Sequence, residues 1–172
     1  MIGRAVWYGA AMLRLALLFT LVFSVSACAD PRAAQNMAKA RAFLAANAKA
    51  QGVMTLPSGL QYKVLQAGAA GGASPRADDR VIVNYEGTLL DGTVFDSSYQ
   101  RGHPDTFTVG QLIPAWTLAL QKMKPGDVWM LYAPPRLAYG EEGAGPIPPN
   151  AALIFKIELI GILPRDASVG NG

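Results

Sequence analysis

Apolar residues alternate with period two in stretch after stretch of residues 58–163, and a helical period interrupts that alternation once. Leu60-Gln61-Tyr62-Lys63-Val64-Leu65 reads as a half-buried strand. Val81, Val83 and Tyr85 alternate next, and Gly87 marks a bend or a close approach of backbone. Asp91-Gly92 is a hairpin signal joining residues 81–90 to 93–96. Phe107 and Val109 form another short alternation. Residues 114–123 then change period: Trp116, Leu120 and Met123 share one helical face, Pro114 suits the first turn, and Lys124-Pro125-Gly126-Asp127 ends the helix. Val128, Met130 and Tyr132 return to alternation. So do Leu153, Phe155, Ile157 and Leu159, with Lys156 and Glu158 facing out. Residues 67–79 and 134–150 are Gly-rich loops. This order predicts an α+β domain in which a half-wrapped antiparallel sheet packs on one short helix.

Composition removes several function classes. A chain of 172 residues that is 51% hydrophobic is not wholly disordered, and it has room for one domain. A formal net charge of +3 argues against a nucleic-acid-binding protein. One cysteine allows no internal disulfide and no cysteine-based zinc cluster; one histidine allows no multi-histidine metal site. There is no G-x-S-x-G and no phosphate-loop lysine motif. His103, in a Gly-His-Pro turn, and the acid pairs Asp78-Asp79 and Glu141-Glu142 are expected to be solvated.

The N-terminus reads as an address. Arg4 and Arg14 precede an uncharged apolar run at 15–25, too short for the ~20 residues that span a bilayer. Val25-Ser26-Ala27-Cys28 resembles a bacterial lipobox, whose cysteine becomes the lipidated first residue of the mature protein. The alternative is a plain signal peptide cut near Ala27, with Cys28 incidental. Met12 offers a second possible start. The residue after Cys28 is Ala29, with the acid one place later at Asp30, and this favours the outer membrane over retention at the inner one. The expected boundaries are a signal peptide at 1–27, a lipidated N-terminus and spacer at 28–57, the folded domain at 58–165 and a flexible tail at 166–172.

Residues 32–51 are alanine-rich and read as helix, with Gly52 as its stop. Its larger apolar residues are few: Met37, Phe43 and Leu44. The preferred expectation is a solvated spacer between lipid and domain; a dimer contact or a client-binding arm is the other.

Three blocks carry more information: VIVNYEGTLLDGTVFDSS at 81–98, LIPAW at 112–116 and LAYGEEGAGPIPPNAALIF at 137–155. In content, order and spacing they resemble the FKBP-type peptidyl-prolyl cis-trans isomerases. The resemblance covers residues 58–163 and is nearest to the macrophage infectivity potentiator group of bacterial surface isomerases. It implies the same sheet curved around one helix. Carried over by motif, the family's pocket falls on Tyr85, Phe95, Asp96, Leu112, Ile113, Trp116, Tyr139, Ile147 and Phe155, with Phe107 at its border. Asp96, Tyr139 and Phe95 take the catalytic roles. Ala115 stands where the family has glycine, the loop after Tyr139 is one residue shorter, and a loop histidine of some members is missing. The N-terminal arm is much shorter than the group's dimerising helix, so a monomer or weak dimer is expected.

The resemblance implies a reaction that needs no cofactor and no metal. Rotation about X–Pro crosses a barrier of about 18–20 kcal/mol as amide resonance is lost, and takes tens of seconds or longer unaided. No bond breaks, so neither nucleophile nor base is required. A dry aromatic pocket favours the twisted amide over the planar one. The implied partners are proline-containing unfolded or partly folded proteins, FKBP-type macrolide inhibitors and, through Cys28, the membrane of a Gram-negative-type cell envelope, on its periplasmic or surface face. The alternative reading is a non-catalytic prolyl-peptide-binding chaperone or surface adhesion lipoprotein.

Overall fold

The computed structural model describes residues 31–163. The signal segment, the lipobox with Cys28 and the tail at 166–172 lie outside the described residues. Helix α1 spans Pro31–Asn47. Seven strands follow: β1 Val53–Thr55, β2 Gln61–Gln66, β3 Arg80–Thr88, β4 Val94–Ser97, β5 Asp105–Thr108, β6 Val128–Ala133 and β7 Leu153–Leu163. Between them lie a one-turn helix α2, Ser98–Arg101, and helix α3, Pro114–Leu120.

The strands form one antiparallel sheet in the order β1-β2-β6-β7-β3-β4, with β5 beside the other half of β3. The interior strands are the long ones. Alternation sends Val81, Val83 and Tyr85 of β3, Leu131 of β6, and Phe155, Ile157 and Leu159 of β7 to one concave face. There they meet Ala115, Trp116, Ala119 and Leu120 of α3, and Met123 just beyond it, all buried. This is the architecture expected from the sequence. The helical face at Trp116, Leu120 and Met123 is buried as expected, although regular helix stops at Leu120 and Met123 closes the last turn by donating to Ala119 and Leu120 carbonyls. Asp127 fixes the following turn, accepting from Lys124 N at 2.8 Å and Gly68 N at 2.5 Å.

Two elements were not anticipated. Strand β1 pairs with β2, so the sheet begins at Val53, ahead of the expected domain start at 58. Helix α2 is a single turn held by its caps: the Ser97 hydroxyl accepts from Gln100 N, and Gly102 takes a left-handed φ of 79°.

Helix α1 corrects the expectation of a solvated spacer. Ala33, Asn36, Met37, Ala40, Phe43, Leu44 and Asn47 recur at helical spacing, and all are buried or half-buried; every other residue of the helix is exposed. The covered stripe lies on the domain. Ala40 is 1% exposed, Phe43 tilts against Tyr132 with ring centroids 6.0 Å apart, and Gln61 of β2 donates to the Leu44 carbonyl at 2.8 Å. The helix ends at Asn47 rather than at Gly52, which opens β1 with a φ of 79°.

Candidate active site

The concave face leaves one cavity of about 240 Å³ beside α3. Nine of the residues singled out in the sequence line it: Tyr85, Phe95, Asp96, Phe107, Leu112, Ile113, Trp116, Tyr139 and Phe155. Trp116 is the centre. Its ring meets Tyr85, Phe155 and Phe107 edge-on, with centroids 5.0, 5.5 and 5.9 Å away and interplanar angles of 82°, 90° and 88°. Phe95 stands edge-on to Phe155 at 5.7 Å. These crossings suit the ring quadrupoles and hold four walls upright. Their positions follow from the elements. Tyr85 and Phe155 come from adjacent strands, and Pro114 starts α3 so that Trp116 falls in its first turn.

Gly87 explains how Phe95 reaches the box. A β-carbon built on Gly87 would lie 2.5 Å from Phe95 Cζ and 3.1 Å from Phe155 Cε1. This is the close approach expected at that position.

One wall is polar. The Tyr85 hydroxyl donates to Asp96 Oδ2 at 2.5 Å and accepts from Arg101 Nη2 at 2.9 Å. Arg101 also donates from Nη1 to Asp96 and from Nη2 to Asp105. His103 Nδ1 lies 3.8 Å from Asp105, and the ring is largely exposed, as expected. Burial pushes the Tyr85 phenol up to about 12, and its bond to Asp96 adds to the rise. Burial opposes charge on Asp96, but hydrogen bonds from Tyr85 and Arg101 and the guanidinium charge outweigh it, and the carboxyl sits below its ordinary value. Burial, then the Asp96 charge, raises the Tyr139 phenol.

Ile147 is set apart from the other nine. It pairs with Ala144 in a tight loop, is 6% exposed, and joins the hydrophobic core rather than the cavity wall. Conversely, Gln111 lines the cavity and Arg101 braces its polar wall, and neither was singled out in the sequence. Arg101 gave one faint signal, a basic residue five places after Asp96; nothing in the sequence marks Gln111.

A curved antiparallel sheet closed by one short helix, with an aromatic box between them, defines the FKBP class of domains. The pattern described as FKBP-type peptidyl-prolyl cis-trans isomerase matches residues 71–160, and the domain amino terminal to it matches residues 22–64. The chain belongs to the FKBP-type peptidyl-prolyl cis-trans isomerase family. Among its relatives is peptidyl-prolyl cis-trans isomerase Mip of Coxiella burnetii, 60% identical over 74% of this chain and 55% of the relative. Another is outer membrane protein MIP of Legionella longbeachae, 52% identical over 77% of this chain and 57% of the relative. The crystal structure of FkpA from Escherichia coli superposes with a TM-score of 0.74 at 45% identity, over 77% of this chain and 62% of that one. The chain thus spans little more than half the length of the curated relatives it matches.

Proposed function

We propose that this protein is a peptidyl-prolyl cis-trans isomerase acting on proline-containing proteins outside the cytoplasm. The observation that carries the reading is the aromatic box around Trp116 with one polar wall at Asp96. Tyr85, Phe95, Phe107, Trp116 and Phe155 surround the prolyl ring, with Leu112 and Ile113 at the lip. The Tyr139 hydroxyl and the Ile113 N–H hold substrate carbonyls. Asp96 polarises the twisted amide. As conjugation is lost, the carbonyl oxygen gives up negative charge and needs less hydration, so a site that excludes water lowers the barrier without covalent chemistry. Ile147 contributes through the shape of its loop. FKBP-type macrolides are expected to occupy the same box.

The reading takes α1 and the sheet that begins at Val53 as one isomerase unit, joined to the membrane through the residues that follow Cys28. Mip and FkpA relatives support a Gram-negative cell envelope. Lipidation of Cys28 and an outer-membrane location complete the proposal; replacing Cys28 with Ser is expected to release the protein from the membrane fraction and abolish palmitate labelling.

The deciding assay is cis-to-trans conversion of Ala-X-Pro-Phe peptides by the full chain and by its Phe95→Ala and Asp96→Asn variants. Fast turnover is expected, reduced about a hundredfold by Phe95→Ala, which corresponds to about 2.7 kcal/mol of transition-state stabilisation. No turnover from the folded protein overturns the reading in favour of a prolyl-peptide-binding chaperone.

A further inference from the structure

The loop that carries Tyr139, residues 134–152, is long and has no regular structure beyond one turn at 135–137. Loops of this length in compact domains need their own fastenings. Several bonds fold the loop on itself: Gly140 N donates to the Pro135 carbonyl at 2.9 Å and Gly143 N to the Tyr139 carbonyl at 3.1 Å. Two others leave the loop altogether and go to α1. Asn36 Nδ2 donates to the Pro149 carbonyl at 2.8 Å, and Asn150 Nδ2 donates to the Ala33 carbonyl at 3.3 Å. The Asn150 N–H in turn donates to the Gly140 carbonyl at 2.8 Å. A short run of hydrogen bonds therefore joins α1 to the Gly140–Glu141 peptide, one residue past Tyr139.

Asn150 is unusual in a way that points to this bond. Its φ is +56°, the one positive value among the described non-glycine residues, and its side chain is nearly buried. Glycine satisfies such a backbone without steric cost. The side chain at this position spends its donor on α1, and its Oδ1 is buried with no partner among the described residues. The helix end of the link is fixed independently. Ala40 is buried on the domain and Gln61 Nε2 donates to the Leu44 carbonyl at 2.8 Å. Helix α1 thus stays docked without the Asn47 side chain, whose bond to Gln61 Oε1 at 2.9 Å lies at the opposite end of the helix from Asn36. Beside Asn36 a cleft of about 130 Å³ separates α1 from Leu89, Asp91 and Pro148, so side-chain hydrogen bonds rather than apolar packing close the gap there.

We propose that α1 is a positioning element for the isomerase site, with Asn36 and Asn150 as positioning residues that hold the Tyr139 loop against the cavity. This rests on the isomerase reading above. Small displacements of a substrate-holding group cost rate steeply, so a tether remote from the box is felt in turnover.

The test uses the full chain and three variants. Asn36→Ala removes the bond to Pro149; Asn150→Gly removes the bond to Ala33 while easing the backbone; Asn47→Ala loosens the far end of α1 and serves as control. Asn36→Ala and Asn150→Gly are expected to lower kcat/KM on X-Pro peptides about fivefold, and Asn47→Ala to leave it unchanged. In a Tyr139→Phe background the Asn36→Ala loss should shrink to near nothing, because both changes strike the same contact. An equal loss in both backgrounds overturns the proposal and marks a general structural effect. Amide hydrogen exchange separates the two readings. Faster exchange at Gly143 and Asn150 in Asn36→Ala, with wild-type rates in Asn47→Ala, supports the tether even if no peptide turns over. Unchanged exchange in Asn36→Ala overturns it.

Discussion

Asp96 and Tyr85 shift in opposite directions: burial and then the bond to Asp96 raise the phenol, while at the carboxylate the bonds from Tyr85 and Arg101 outweigh burial. The folded pKa of Asp96 lies below the ordinary 3.8, so its contribution to stability is present above about 3.8 and is lost as pH falls through the lowered folded value. Tyr85 rises from 10.0 to about 12, so its contribution is complete below 10 and is lost as pH climbs toward 12. Stability by urea unfolding and peptide turnover are therefore expected to be level between about pH 5 and 9. An inflection near neutrality would overturn this. Gly87→Ala makes a second prediction at this scale. Its new methyl meets Phe95, so the ring must swing into the cavity or the strand must shift. The expected cost is about 1–3 kcal/mol in urea unfolding, with a larger proportional loss of turnover. Wild-type turnover in the variant would show that Phe95 has room to yield. The aromatic walls were readable only through the family motifs that surround them, because each aromatic taken singly reads as ordinary core packing. Arg101 was not. Its pairing with Asp96 depends on the single turn of α2, and that turn rests on the Ser97 and Gly102 caps rather than on any apolar period. Ile147 shows the opposite limit: a motif located the residue, but the Ala144 pairing decided which way it faced.

The helix at 31–47 was legible from its alanines, and its docking was not. Counting only large apolar residues leaves Met37, Phe43 and Leu44, a stripe too thin to demand a partner. Small and amide side chains complete the contact that Phe43 makes with Tyr132, with Ala40 at its middle and Asn36 and Asn47 near its two ends. Alanine allows the close approach, and asparagine satisfies backbone and side-chain groups that the approach covers. Ala40→Leu is expected to lift the helix and cost about 1–3 kcal/mol in thermal or urea unfolding, whereas the exposed Ala42→Leu should be nearly neutral. Equal effects of the two would place α1 off the sheet. Strand β1 escaped notice because three residues cannot display a period; it exists because β2 offers an unpaired edge.

At the scale of the molecule, the pocket and the core are one construction. Trp116, Tyr85 and Phe155 belong to the buried cluster and to the cavity wall alike. The sheet joins distant parts of the chain, with β3 paired to β7 along its whole length. Unfolding is therefore expected to be a single cooperative event that includes α1. Tryptophan fluorescence, reporting Trp116 and Trp129 in the core, and far-ultraviolet circular dichroism, reporting helix content, should give coincident urea transitions. Helix loss ahead of the fluorescence change would make α1 a separate unit. The overall architecture was readable because alternation alone assigns each strand a buried face; the strand order was not, since it is set by pairings between segments far apart.

The sheet's long strands are all interior, and its outermost strands, β1, β4 and β5, have three, four and four residues. A protein proposed to meet unfinished chains spends its life among exposed backbones hungry for hydrogen bonds. A long bare edge would offer them a template and turn each visit into the seed of an aggregate. On the proposed reading, a client chain finds a hole for one ring and little open edge to pair with.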